Sequence, residues 1–248
     1  MKNITTFNFK ELEKFDKVYV LVSGGFDSTY LYEKIRELIS PWKIYPVNCY
    51  NPYEYNKTLK QIALDRNMIF IKPGKYKDVI KNSFLNLPKA YKLKKEKKYH
   101  KKIFPCCYVL KHKNFKKDKR FKSDNVVIIS GIKQGDGRQR GIWLRQLSQG
   151  REPRNQSEGK TTFYHKHSNG ILYCYPFRDY MERELPEDIK DKLWSKYSHL
   201  DHSGCSLCPI LVLFNIYGEG KRYERSLQYA INLGVLPYKE IDSYADRI

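Results

Sequence analysis

Two groups of side chains in this 248-residue chain have the types and spacing to do chemistry. The first is Ser23-Gly24-Gly25-Phe26-Asp27-Ser28, directly after the apolar run Val18-Tyr19-Val20-Leu21-Val22. Two glycines let a backbone approach a ligand with no Cβ in the way. Ser23 and Ser28 add hydroxyl donors, and a helix opening at Asp27 turns the N–H groups of its first turn toward the same point. On a strand–loop–helix unit, such an anion site is expected to take a nucleotide phosphate. The spacing is neither Gly-x-x-x-x-Gly-Lys-Ser/Thr nor Gly-x-Gly-x-x-Gly, which sets aside those two nucleotide loops. The second group is drawn from six cysteines: Cys49, Cys106, Cys107, Cys174, Cys205 and Cys208. Cys205-Ser206-Leu207-Cys208 lets two thiolates reach one centre. The tandem Cys106-Cys107 joins them if the backbone bends, which Pro105 favours. Four thiolates suffice for tetrahedral zinc or a [4Fe–4S] cluster.

The elements that must position these residues read clearly. Strands are expected at 17–22, 43–48, 68–71 and 125–130. Helices are expected at 27–38 and 54–65, and again at 186–197 and 221–233. Strands alternating with helices predict an α/β, Rossmann-like, mostly parallel sheet flanked by helices, with a helical C-terminal part. Ligands of such sheets sit at the carboxyl ends of the strands, and Ser23, Cys49 and Gly131 all lie just past such ends. Residues 1–177 are expected to form the nucleotide-binding domain with a basic insertion at 89–122. Residues 178–248 would form the helical part carrying Cys-x-x-Cys, packed on the same domain.

Charge is the other large signal: 47 Lys+Arg against 27 Asp+Glu give +20. Residues 89–122 hold 15 Lys+Arg and 2 acids, with Tyr91, Tyr99, Phe104, Phe115 and Phe121 interleaved. A basic, aromatic-studded stretch suits a polyphosphate partner such as tRNA or DNA; the plainer alternative is a solvated lysine-rich surface. A hydrophobic share of 41% excludes a disordered tail. No early apolar run resembles a signal peptide and none is long enough to span a bilayer, so a cytoplasmic protein without membrane attachment is expected. In that setting clustered thiols read as metal ligands rather than disulfides. The six histidines are scattered and receive no role.

The loop resembles the Ser-Gly-Gly-x-Asp-Ser loop of the PP-loop ATP pyrophosphatases. Followed by Cys106-Cys107 and Cys205-x-x-Cys208, it is similar to the iron–sulfur members of the PAPS reductase-like branch. These include adenylylsulfate reductases and the ATP pyrophosphatase of DNA phosphorothioation. The resemblance implies an adenine nucleotide alpha hydrolase-like fold and a [4Fe–4S] cluster on those four cysteines, with zinc as the alternative. It implies that Ser23–Ser28 hold the β,γ-phosphates of ATP and that Mg²⁺ offsets their charge, with Asp27 a candidate ligand. Lys111, in Cys-Cys-x-x-x-Lys, would stabilise the cluster's charge. Ile128-Ile129-Ser130-Gly131-Ile132-Lys133, with Asp136, Arg138 and Arg140 beyond, looks like the branch's Gly-Ile-Arg…Arg element, so Arg138 and Arg140 would contact phosphate. Tyr175-Pro176-Phe177-Arg178-Asp179-Tyr180 resembles the branch's step into its C-terminal helices.

The chain departs from the reductases at their nucleophile. They attack sulfur with a cysteine in a C-terminal Glu-Cys-Gly-Leu-His motif, and no cysteine follows Cys208 here. Only Cys49 or Cys174 could stand in, Cys49 lying beside the loop. The expected chemistry is therefore adenylation of a nucleic acid for sulfur transfer from a separate sulfur donor. The alternatives are a sulfonucleotide reductase lacking its tail cysteine, or a nucleotide- and nucleic-acid-binding module without turnover.

Overall fold

The computed structural model describes residues 4–49, 51, 57–65, 67–72, 76–136, 142–144, 163–182, 184–197, 200, 205–216 and 220–236. Its strands are β1 (Lys17–Leu21), β2 (Ile44–Cys49), β3 (Ile69–Ile71), β4 (Val126–Ile129), β5 (Tyr164–Lys166) and β6 (Leu172–Cys174). Its principal helices are α1 (Phe26–Leu38), α2 (Lys57–Asp65), α3 (Tyr76–Leu85), α4 (Leu87–Lys95), α5 (Glu187–Lys196), α6 (Pro209–Leu213) and α7 (Lys221–Asn232). The chain forms two compact units. One takes residues 1–48, 56–71 and 116–203, and the other residues 49–55, 72–115 and 204–248. The first unit thus draws its chain from both sides of residue 177.

The first unit is an α/β fold with a six-stranded sheet in the order β3-β2-β1-β4-β6-β5. β1 runs parallel to both β2 and β4, with Val18 opposite Ile44 and Val127. β6 is parallel to β4, and the edge strand β5 is antiparallel to β6. β4 is buried at every position, as expected of an inner parallel strand covered on both faces. Val18 and Val20 face one side of β1 and enter the main core with Leu31 and Ile35 of α1. Tyr19 points to the other side, where its ring meets Tyr45 and Phe121. The buried residues of α1, namely Ser28, Thr29, Leu31, Tyr32 and Ile35, recur at helical spacing and press it onto the sheet. At the helix's middle, Glu33 accepts hydrogen bonds from Tyr197 Oη at 2.6 Å and from Lys196, and pairs with Arg36 at 2.9 Å. Burial pushes the Glu33 carboxyl up, but those donors and the Arg36 charge outweigh it and leave the group below its ordinary range.

The second unit is helical. Its core gathers Ile80 and Phe84 of α3, Leu87 and Ala90 of α4, Phe104, Cys106 and Leu110, Val212 and Leu213 of α6, and Ala230 of α7. Three of its helices close in the same way. After α4, Lys98 N–H bonds to Leu93 O and Lys97 N–H to Lys94 O. Ile216 and Asn215 repeat this after α6, and Val235 and Gly234 after α7. The residue at the turn has positive φ each time: Lys97 at 57°, Asn215 at 52° and Gly234 at 64°. These are Schellman closures, which glycine fills without strain and lysine does not.

The basic stretch divides its side chains sharply. Phe104, Phe115 and Phe121 are buried, and Tyr91 and Tyr99 pack half-buried against the second core. Lys89, Lys92, Lys94, Lys95, Lys97 and Lys98 are exposed. These five aromatics therefore hold the fold together, while the lysines and the exposed Tyr108 face water. Among the described residues no helix is long and apolar enough to cross a membrane.

Candidate functional site

Strand β1 ends at Leu21, and the chain turns through Ser23–Gly25 into α1. Gly24 takes φ of 80°, and Gly25 caps the helix in an extended conformation. Both serine hydroxyls are spent on the loop. Ser28 Oγ accepts from Ser23 N–H at 3.1 Å and donates to Gly25 O at 3.1 Å, with Ser23 Oγ 3.0 Å away. Since the one Ser28 proton goes to Gly25, the proton between the two hydroxyls comes from Ser23. Asn48, at the end of β2, adds a brace by donating to Val22 O at 2.7 Å. The serines thus shape the loop rather than offer donors outward, and a phosphate would be met by first-turn N–H groups of α1, which have no acceptor within a helix.

The loop's charge comes from another strand. Past β4 the chain runs through Ser130 and Gly131 to Lys133, whose side chain is 1% exposed and whose Nζ lies 2.5 Å from Asp27 Oδ1. The Asp27 side chain is 32% exposed. Lys133 Nζ also stands 5.9 Å from the centre of the Tyr180 ring. Its backbone N–H donates to Asp136 Oδ2 at 3.2 Å, closing the short turn Gln134–Asp136. Gly135 pins that turn: a Cβ there would sit 2.2 Å from Glu182 O, so only a bare backbone passes. The position where the resembled branch often has arginine is therefore a buried lysine paired with the loop aspartate. Arg138 and Arg140 lie outside the described residues.

The strand order supplies the remaining fact. From β1 the chain moves outward to β2 and β3, then returns to lay β4 on the other flank of β1. The loop therefore sits where the winding reverses, the usual ligand position of an open parallel sheet. The chain matches no protein-family model and no curated protein. What the loop does must be argued from its own geometry.

The second unit holds the four expected metal-ligating cysteines. Cys106 and Cys107 open the helical turn that continues as a π-helix over Tyr108–Lys113. Successive helical residues point about 100° apart, so the tandem needs no sharper bend for both thiols to serve one side. The two share a hydrogen bond that, with burial, pushes the Cys106 thiol far up. Burial also raises Cys208, against the opposing N–H dipoles of Ile210 and Leu211, although Cys208 makes no capping hydrogen bond. Negative charge on Cys107 would push both Cys106 and Cys208 further up, so the three thiols lie within electrostatic reach of one another. Asn51, 1% exposed, donates from Nδ2 to Cys205 Sγ at 3.1 Å. Lys111 is half-buried within the π-helical turn.

Two buried serines hold this arrangement, and sequence reasoning missed both. Ser83 of α3 accepts from Cys106 N–H at 3.3 Å and donates to Val79 O at 2.8 Å. Ser226 of α7 accepts from Cys208 N–H at 2.9 Å and donates to Arg222 O at 2.7 Å. Arg222 Nε in turn donates to Cys205 O at 3.2 Å. The same device thus anchors each cysteine pair to a helix: a hydroxyl bonded to the carbonyl four residues back, with one lone pair turned to the thiol's backbone. Among the described residues no three Cys, His, Asp or Glu side chains stand in closed metal-ligand geometry. The donor chemistry nevertheless fits a thiolate-bound centre, with thiols in two pairs and, among the described residues of the same unit, a buried Tyr99 Oη without a hydrogen-bond partner.

The other cysteines differ in kind. Cys174 is fully buried in β6, and burial holds its thiol well above the ordinary range, which makes it a core residue and a poor nucleophile. Cys49 ends β2 and is half-buried. Of the histidines, His165 and His167 join Tyr173 and Tyr175 in an aromatic row on the β5–β6 hairpin, with His167 Nε2 3.0 Å from Tyr175 Oη.

Proposed function

We propose that the protein is an ATP pyrophosphatase of the PP-loop kind that adenylates a nucleic acid, tRNA or DNA, for sulfur transfer. The observation that carries this reading is the Ser23–Ser28 loop at the winding reversal of a parallel sheet, with the buried Lys133 ammonium delivered to Asp27 from the neighbouring strand. First-turn N–H groups of α1 bind the β,γ-phosphates. Lys133 adds positive charge just behind the loop, Mg²⁺ supplies more with Asp27 its candidate ligand, and Arg138 and Arg140 extend the phosphate contacts. An oxygen of the substrate attacks the α-phosphorus. The bond to the β-phosphate oxygen breaks, pyrophosphate leaves, and the substrate oxygen carries AMP. A sulfur donor then displaces AMP. The enzyme's share in this chemistry is positioning and charge stabilisation.

The exposed lysines of residues 89–122, with the exposed Tyr108 ring among them, support a polyphosphate substrate held mainly by charge. Cys106, Cys107, Cys205 and Cys208 would hold a [4Fe–4S] cluster, or zinc in its place. Bound there, either group supplies a compact structural and electrostatic centre. The test is pyrophosphate release from ATP by anaerobically purified full-length protein, with and without tRNA or DNA. Release stimulated by one nucleic acid, and weakening steeply with salt, is expected. No release under any of these conditions overturns the reading, and sulfite release from adenylylsulfate would replace it with sulfonucleotide reduction.

A further inference from the structure

Among the described residues of the second unit, one buried hydrogen-bond donor stands idle, on a ring packed between the segments that carry the thiols. Tyr99 follows the Lys97 turn, and its ring lies between Phe104, 6.3 Å away between centroids, and Phe214, edge-on at 5.2 Å. Phe104 stands two residues before Cys106, and Phe214 closes the helix that begins just after Cys208. The rings that fix Tyr99 therefore belong to the two segments that carry the thiols. Its Oη is shut off from water and has no hydrogen-bond partner among the described residues. Burial raises its hydroxyl above the ordinary range, and negative charge on Cys208, Cys107 or Cys106 would raise it further, which places the hydroxyl within electrostatic reach of the thiols. A buried hydroxyl with no acceptor destabilises a fold, so its retention calls for an acceptor that arrives later. Neutral thiols accept poorly, whereas thiolates and cluster sulfides accept strongly. Asn51 already donates to Cys205 Sγ in this way.

We propose that Tyr99 donates a hydrogen bond to a sulfur of the centre held by Cys106, Cys107, Cys205 and Cys208, and so favours its reduced state. The inference rests on the reading of those four cysteines as ligands. Reduction adds negative charge to the sulfurs, and a donor aimed at them stabilises the more negative form. Tyr99 is thus a tuning residue of the centre, separate from the nucleotide loop.

The test compares full-length wild type, Tyr99→Phe and Tyr91→Phe, each purified anaerobically and reconstituted with iron and sulfide. Tyr91 is the control, because its hydroxyl holds Val212 O at 3.2 Å. A mediated dithionite titration followed by absorbance should show Tyr99→Phe about tenfold harder to reduce, about 59 mV lower for one electron. Tyr91→Phe should keep the wild-type potential and lose thermal stability. Metal-free Tyr99→Phe should melt at or above wild type, which a merely structural hydroxyl would not allow. If wild type takes up zinc rather than iron, competition with a chromophoric chelator should show about tenfold weaker zinc binding in Tyr99→Phe. An iron-loaded Tyr99→Phe with unchanged potential, or a zinc-loaded one with unchanged affinity, overturns the Tyr99 inference alone. Wild type that retains neither metal overturns the ligand reading, and Tyr99's role with it.

Discussion

The nucleotide loop and the thiol cluster prepare for their ligands in opposite ways. At the loop, opposite charges are already in place, with the buried Lys133 ammonium matched by Asp27 and the serine hydroxyls bonded to the loop itself. At the cluster, burial and the Cys106–Cys107 hydrogen bond keep the Cys106 thiol neutral, burial does the same for Cys208, and Tyr99 Oη has no acceptor among the described residues. The loop is charged before its ligand arrives, whereas Cys106 and Cys208 become charged only with theirs. Preorganisation and coupled assembly thus coexist in one chain. The first suits transition-state stabilisation and the second suits a centre that completes the fold.

The most damaging way to probe this contrast is Asp27→Asn. It strands a fully buried ammonium and should cost about 3–5 kcal/mol in urea unfolding. Lys133→Met should cost less, about 1–2 kcal/mol, because water reaches part of the Asp27 carboxylate. The double variant should recover most of the loss. Equal costs for the two single changes would mean that the pair is not the asymmetric device described. A pH series gives the next effect. Because the folded Glu33 pKa is lowered, its stabilisation is present above the ordinary carboxylate value of 4.5 and fades as pH falls through the folded value. The stability gap between wild type and Glu33→Gln should be largest near neutrality and close in acid. A gap independent of pH would remove Glu33's charge from the account. The smallest effect belongs to the second unit: Lys97→Gly should stabilise by about 0.5–1 kcal/mol by relieving the left-handed turn. Asn215→Gly should gain less, since asparagine tolerates that turn better.

Much of the first unit was legible from sequence. Val18–Val22 and Asn125–Ser130 are apolar, β-branched runs that only a buried strand explains, and the glycine pair after the first marks its turn. The observed β1 and β4 fall within the expected strands at 17–22 and 125–130, one and two residues shorter respectively. The β5–β6 hairpin was not legible, because Tyr164-His165-Lys166 carries no apolar signal and Leu172-Tyr173-Cys174 is too short an apolar run to mark a strand by itself. Helices α3 and α4 were hidden for a different reason. Lysines at 89, 92, 94 and 95 swamp the short apolar spacing of Leu87 and Ala90, so the stretch reads as a charged insertion. The cysteines announced themselves by spacing. Ser83, Ser226, Asn51 and Lys133 did not, since a serine inside a helix or a lysine in a basic chain carries no local mark of burial. Their partners are fixed only when distant segments meet.

The interleaving of the two units governs how the chain is made. The central β1–β4 pairing joins residues separated by the whole of 72–115, which belongs to the other unit. That stretch in turn waits for residues 204–248, which emerge later. Contacts so distant in sequence are slow to form, and neither core can close on the ribosome until most of the chain has emerged. Any contiguous fragment ending near residue 115 therefore carries half of each unit and the whole of neither.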